Sequence, residues 1–396
     1  MYVCSECIVD EHLRAVVVQN ADEDAPCSFC EEERTPAAPL EALVEHIQNC
    51  FHFRYEDAAG SLPWDGEEGR YFGPTYDTQE ALENIGLYDA ITGGNCELFD
   101  AICSELGDET WTDRDPFALP EDRRLNLSWE SFSGYIKHHR RFFFLGGDPK
   151  YAEFDGGDTL LGPEPLLRNL VQFAIRYSLV RLLPAGTALF RVRHQRRGEK
   201  LRSPLELGAP PPEKAEQTNR MSPPGIAMTY LAEDEATALA ETGEPRPKGK
   251  RKTYAVAKFW LSREVAVLDL SGMPSVPGFF DLDAAPHRDA RAFLSRFASE
   301  VSKPIARDNH VHIDYVPTQV VTEYFRDAKA LRSRAVRGLR FQSSRNPPGL
   351  SLVLFGGREI LDLEPDERAQ LTDTEREQDG AANPLLKLDR CWTRKY

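Results

Sequence analysis

Two cysteine pairs open the chain, Cys4-x2-Cys7 and Cys27-x2-Cys30, with nineteen residues between them. A two-residue gap lets a tight knuckle aim two thiolates at one ion, and two such knuckles make the sulfur tetrahedron of a structural Zn(II) site. Four thiolates leave no open position, so the expected zinc holds structure and does no catalysis. A second group of reactive types lies downstream. Arg191 sits in the strand-like run Leu189-Phe190-Arg191-Val192-Arg193, and Arg220 stands before the turn Ser222-Pro223-Pro224-Gly225. Ile226–Leu231 then reads as a short strand carrying Tyr230. Asp234–Glu241 reads as a helix with acids in its first turn, where the macrodipole favours them. Glu241 closes that helix beside Ala236, Leu239 and Ala240, a core edge where a carboxylate needs an arginine or a ligand hydroxyl as partner. Each group also has an ordinary reading: free or redox-active thiols, salt-bridge arginines, a core tyrosine, a solvated helix-end glutamate.

The order Arg191, then Arg220 with Gly225 and Tyr230, then a helix bearing Glu241 resembles the RES domain. Downstream, His312-Ile313-Asp314-Tyr315-Val316-Pro317-Thr318-Gln319 resembles that family's Tyr-x-Pro-Thr-Gln stretch. Gly338–Ser344 followed by Leu352–Phe355 resembles its closing Gly-Ile-x-Tyr-x-Ser-Ser strand. The resemblance covers about 165–360. It departs at Thr218-Asn219-Arg220, where the family often has Gly-Gly-Arg, and in the long proline-rich insert Arg196–Gln217. The knuckles and the helices after them resemble the HEPN-related region that precedes RES domains in longer members.

The resemblance implies an α+β, ADP-ribosyltransferase-like RES domain preceded by an all-α module and a small zinc knuckle. It implies NAD+ as substrate, with its nicotinamide–ribose bond cleaved by phosphate or water. A bacterial toxin or defence effector that depletes NAD+ would do this, restrained internally or by a protein inhibitor. The chemistry of the residues agrees with those roles. Guanidinium forks suit a pyrophosphate, so Arg191 and Arg220 would bind NAD+, and Tyr230 would stack on nicotinamide or ribose. Glu241 would stabilise the positive charge that develops at the ribose carbon, and Ser343 or Ser344 would hydrogen-bond the ribose or carboxamide. Two competing functions are ADP-ribosyl transfer to a macromolecule and a non-catalytic zinc-containing adaptor.

These residues need elements to hold them. After Thr35-Pro36-Ala37-Ala38-Pro39, read as a linker, Leu40, Leu43, Val44 and Ile47 recur at helical spacing. Weaker helical patterns follow at Thr78–Leu87, Asn95–Leu106 and Ser128–Leu145. The organisation expected is a knuckle at 1–35, a helical module at 36–164, the RES-like domain at 165–360 and a polar extension at 361–396. Ala15–Gln19 reads as a hairpin strand within the knuckle, and Pro165–Leu183 as a helix. Strands are expected at Ala188–Arg193, Thr253–Leu261, Val265–Leu270 and Leu350–Phe355, with helices at Ala290–Val301 and Pro317–Ala330. Glycine-rich boundaries fall at 146–149 and 156–158, and 245–252 is a basic loop. Cys50, Cys96, Cys103 and Cys391 lack ligand spacing and read as buried small hydrophobes.

Active HEPN ribonucleases pair Arg with a His five to seven residues on, and 36–164 contains no such pair. The match at Arg307–His312 falls within the RES-like region. The helical module is therefore expected to sense, dimerise or dock. Net charge is −16, which repels polyanions, and the cluster Lys137–Arg141 reads as a solvated face, so nucleic acid is not an expected partner. No apolar run reaches membrane-spanning length and no leader pattern opens the chain, so a reducing cytoplasm is expected.

Overall fold

The computed structural model describes residues 1–30, 35–91, 93, 95–144, 160–243, 252–303, 310–377 and 383–395. The boundaries at 146–149 and 156–158, the basic loop except Lys252, and Arg307 lie outside them. Chain contacts divide the protein into two units. The first takes Met1–Arg124 with Ser275–Ala292, and the second takes the chain from Leu125 onward apart from that segment.

In the first unit, α1 (Glu11–Gln19) occupies the place where a hairpin strand was expected. The β-branched run Val16–Val18 suggested a strand, but Asp10 accepts hydrogen bonds from the amides of His12 and Leu13 and so caps a helix. Leu13 and Val17, one helical turn apart, are both buried. The heptad-like residues form α2 (Leu40–Phe51), and α3 (Thr78–Asn84) carries a capping box between Asp77 and Glu80. Asn95 caps α4 (Cys96–Leu106). Leu13, Leu43, Ile47, Phe51, Leu82 and Ile102 share one core with Phe280. Of the four cysteines read as buried, Cys50 is buried, Cys103 and Cys391 are half-buried and Cys96 is exposed.

The second unit begins on α5 (Glu121–His138), which starts seven residues before the expected helix. The next helix, α6 (Pro163–Arg176), stops well short of Leu183. Ser178, at φ 54°, breaks it, and Val180–Leu183 continues as a strand. That strand, β1, joins β2 (Ala188–Gln195), β3 (Thr229–Ala232), β4 (Thr253–Leu261), β5 (Val265–Asp269), β6 (Val336–Gln342), β7 (Leu350–Leu354) and β8 (Leu386–Lys395). Their order is β8-β4-β2-β3-β7-β6-β5-β1. Only the β5–β6 pairing is parallel among these. β8 comes from the region expected to be a polar extension.

Alternation along the strands gives the sheet two apolar faces. Leu339, Phe341 and Val353 meet Leu166 and Leu170 of α6, Phe293 and Phe297 of α8 (Arg288–Ser302), and Val321 and Phe325 of α9 (Val316–Asp327). The opposite face packs Leu352, Leu354, Leu189 and Phe259 against Ile360, Leu361 and Leu385. The helix α7 (Glu235–Thr242) follows β3 directly, capped by Asp234 through the amide of Thr237 at 2.8 Å.

Candidate active site and metal centre

The four sulfurs of Cys4, Cys7, Cys27 and Cys30 converge. Sγ of Cys4 lies 3.4 Å from that of Cys30 and 3.8 Å from that of Cys7, and Cys7 lies 3.8 Å from Cys27. A zinc ion with Zn–S bonds of about 2.3 Å requires tetrahedron edges of about 3.8 Å, whereas a disulfide would bring sulfurs to about 2.05 Å. The amides of Cys4 and Phe29 both donate to the Cys27 sulfur at 3.4 Å, the contacts that stabilise a thiolate in a knuckle. Burial pushes the Cys4 thiol up to about 11 and raises Cys7 further. For Cys27 burial pulls upward too, but the amides of Phe29 and Cys4 outweigh it and lower the thiol. Packed thiols of this kind ionise together only around a cation. The donor set fits one metal ion.

The second site forms where the large sheet splays. β2 and β3 share a single register pair, Phe190 with Ala232, whereas β3 runs beside β7 for its full length. The gap leaves the carbonyl of Tyr230 facing a side chain, and Nη1 of Arg191 donates to it at 2.8 Å. Nε of Arg191 is enclosed and has no hydrogen-bond partner. Burial first, and then the neighbouring Arg193, pull the Arg191 guanidinium down to about 10. No carboxylate among the described residues pairs with it.

Tyr230 joins the two arginines. Its hydroxyl accepts from the amide of Met221 at 3.1 Å and shares a hydrogen bond with Oγ of Ser222, also at 3.1 Å. Burial pushes its phenol up to about 12. Met221 follows Arg220, whose guanidinium donates to the carbonyls of Val301 (2.6 Å) and Lys303 (2.5 Å) and lies 5.5 Å from the Tyr315 ring centre. Burial lowers the Arg220 guanidinium; Tyr315 and Glu241 pull the other way.

Glu241 lies near the C-terminal end of α7, where Ser343 donates to its Oε1 at 2.6 Å. The turn after β6 grips α7 at three points. Asn346 donates to Oγ1 of Thr237 (2.8 Å), Ser343 to Glu241, and Arg345 to the carbonyl of Gly243 (2.9 Å). Ser343 also accepts the amides of Arg345 and Asn346, at 3.2 and 3.1 Å. Of the serine pair, then, Ser343 is brought onto Glu241, and Ser344 sits half-buried one residue further on. Of this constellation, Arg191, Tyr230 and the Arg220 loop form one hydrogen-bonded group and Glu241 with Ser343 another, and the charge of Glu241 acts on Arg220. Sequence reasoning passed over Arg345 and Asn346. Their only signal is the polar run between two strand-like segments.

No curated protein matches the chain. The family model for the HEPN/RES N-terminal domain 1 matches residues 20–150, and the one for the RES domain matches residues 188–373, a span holding the whole constellation. Mixed sheet and helices, a helical N-terminal region and a cysteine cluster that fits a knuckle accompany these matches. The chain contains a RES domain preceded by a HEPN/RES N-terminal domain 1.

Proposed function

We propose that the RES domain cleaves the nicotinamide–ribose bond of NAD+, on an ADP-ribosyltransferase-like fold, and that the protein depletes NAD+ as a toxin or defence effector. The observation that carries this is Arg191, a guanidinium with an enclosed Nε and no paired acid among the described residues, in the same domain as the Ser343-bonded carboxylate of Glu241. A buried cation without a counter-ion is costly until an anion arrives, and a pyrophosphate is a ligand two arginine forks accept well. Glu241, oriented by Ser343, supplies negative charge for the ribosyl cation that develops as the bond breaks. Nicotinamide leaves from a cationic state and needs no acid. With phosphate the products are nicotinamide and ADP-ribose-1″-phosphate; with water they are nicotinamide, ADP-ribose and a proton.

Tyr230 supports this reading through its hydrogen bonds, which tie the Arg191 strand to the Arg220 loop. The cysteine site holds structural zinc in the proposal, and the helical module senses, dimerises or docks a restraining protein. No helix among the described residues is long and apolar enough to cross a membrane.

Incubating purified protein with NAD+, with and without phosphate, and separating the products by HPLC tests the proposal. Free nicotinamide in equal amount with ADP-ribose or its 1″-phosphate supports it. A labelled macromolecule would instead mark a transferase. NAD+ left intact under all conditions would leave only the adaptor.

A further inference from the structure

The loop that carries Arg220 has no strand or helix of its own, so its backbone carbonyls need partners from elsewhere. Around Arg220 the loop bonds to itself through the Asn219 amide to the Ser222 carbonyl at 2.9 Å and the reverse at 3.3 Å, and further out through Gly225 to Ala215 at 2.8 Å and Ile226 to Pro223 at 3.3 Å. The remaining bonds come largely from the first turn of α9. Oγ1 of Thr318 donates to the carbonyl of Arg220 itself, at 2.5 Å. Nε2 of Gln319 is shared among Oγ1 of Thr218 (2.9 Å), the carbonyl of Asn219 (2.7 Å) and the carbonyl of Ser222 (3.3 Å). Both side chains are buried, Thr318 and Gln319 each 7% exposed. On the other side of the loop the Tyr230 hydroxyl takes the amide of Met221.

We propose that Thr318 and Gln319 are positioning residues for Arg220, and that with Tyr230 they set the guanidinium where the substrate's phosphates arrive. This rests on the NAD+-cleaving reading given above. A guanidinium at the end of a four-bond side chain is only as well placed as its own Cα, and Thr318 bonds the carbonyl attached to that atom. Gln319 suits its task because one amide group can donate to several oxygens at once. A glutamate there would face three acceptors with a further acceptor, and a leucine would leave them unpaired. A purely structural glutamine would stabilise the fold without regard to Arg220.

The test uses the full chain and reads steady-state NAD+ kinetics together with amide hydrogen exchange in the absence of NAD+. Gln319→Leu and Thr318→Val should each raise KM about tenfold while kcat stays within about twofold, the loss expected from one or two buried hydrogen bonds. Thr318→Ser keeps the hydroxyl and should restore the wild-type KM. Gln319→Leu should add little in an Arg220→Ala background, because the two changes remove one shared contribution. Exchange at the Met221 and Ser222 amides should quicken, with the sheet unaffected. Thr318→Val conserves volume and carries the test if Gln319→Leu does not fold. The inference is overturned if loop exchange and KM stay at wild-type values, or if Gln319→Leu costs as much without Arg220 as with it. If the wild-type protein leaves NAD+ intact, the proposed function falls, and loop exchange alone decides the positioning claim.

Discussion

Arg191 is a single side chain whose burial lowers stability and which, in the proposed function, serves the site. Its folded-state guanidinium is held near 10, below that of an arginine in water, so the fold is penalised for every pH at which Arg191 is charged. The penalty is fully present at neutral pH and fades only as pH rises above about 10. Arg191→Met removes it while keeping a long apolar stem. We expect the variant to be more stable than the wild type, by on the order of 1–3 kcal/mol, and to show no thermal shift with NAD+ where the wild type should show one. Differential scanning calorimetry with and without NAD+ reads both; a variant that melts lower would mean that the bond from Arg191 to the Tyr230 carbonyl outweighs the cost of burying its charge. Glu241 and Arg220 separate by kinetics. Glu241→Gln keeps shape and removes charge, so kcat should fall by about 10²–10³ with no rescue by substrate. Arg220→Ala should raise KM and recover at high NAD+. A Glu241→Gln enzyme with near-normal kcat would take Glu241 out of the reaction.

Among the elements, the turn between β6 and β7 matters most to the site. Gly349 lies in it against Thr237, and a Cβ there would meet both the threonine hydroxyl and the carbonyl of Asn346. Gly349→Ala should therefore prise the turn from α7, costing about 1–3 kcal/mol and lowering kcat through Glu241, while KM for NAD+ changes little. Equal losses in kcat and KM would show that the turn does not act through Glu241. A second element depends on charge. Arg358 grips Glu375 with contacts of 2.6 and 2.9 Å, both side chains nearly buried. Burial raises the Glu375 carboxyl, but Arg358 and the Thr372 amide outweigh that and hold it below the ordinary glutamate range. Its contribution is thus present at neutral pH and lost as pH falls below that range. Glu375→Gln should lower the melting temperature at pH 7 and have little effect in strong acid, which thermal melts at two pH values would reveal.

These elements differ in how far the sequence discloses them. The helix Leu40–Phe51 was legible because its apolar residues repeat on one face, and α7 because Asp234 and a run of alanines announce it. α1 was misread because Val16–Val18 favours a strand when seen without its cap. β1 and β8 escaped notice because short or charged edge strands owe their conformation to a neighbour far away in the chain. The same holds at the site. Arg220, Tyr230, Glu241 and Gln319 belong to recognisable motifs, whereas Arg345 and Asn346 matter through bonds to segments about a hundred residues away.

At the scale of the whole molecule, the two units have separate cores and separate chemistry. Cys4 and Cys7 are buried in the first core with Ile8, Leu13 and Val17, so a metal there stabilises helices beyond the knuckle. Elemental analysis should find one zinc per chain. Chelation should unfold the first unit as its own transition, since binding at such sites is worth on the order of 10–16 kcal/mol in isolated peptides. A chain without stoichiometric zinc, or with an unaltered melt after chelation, would count against a structural metal. The sheet of the second unit has a different vulnerability. β4 lies between β2 and β8, and β8 arrives only after every other strand of the sheet has been made. During synthesis, the Thr253–Leu261 edge therefore waits with its amides and carbonyls unpaired, along a strand rich in alanine and aromatic residues. A ribosome that stalls before 386 releases a chain in which this apolar edge is bare, so incomplete copies of this protein should be cleared as aggregates before they can act on anything.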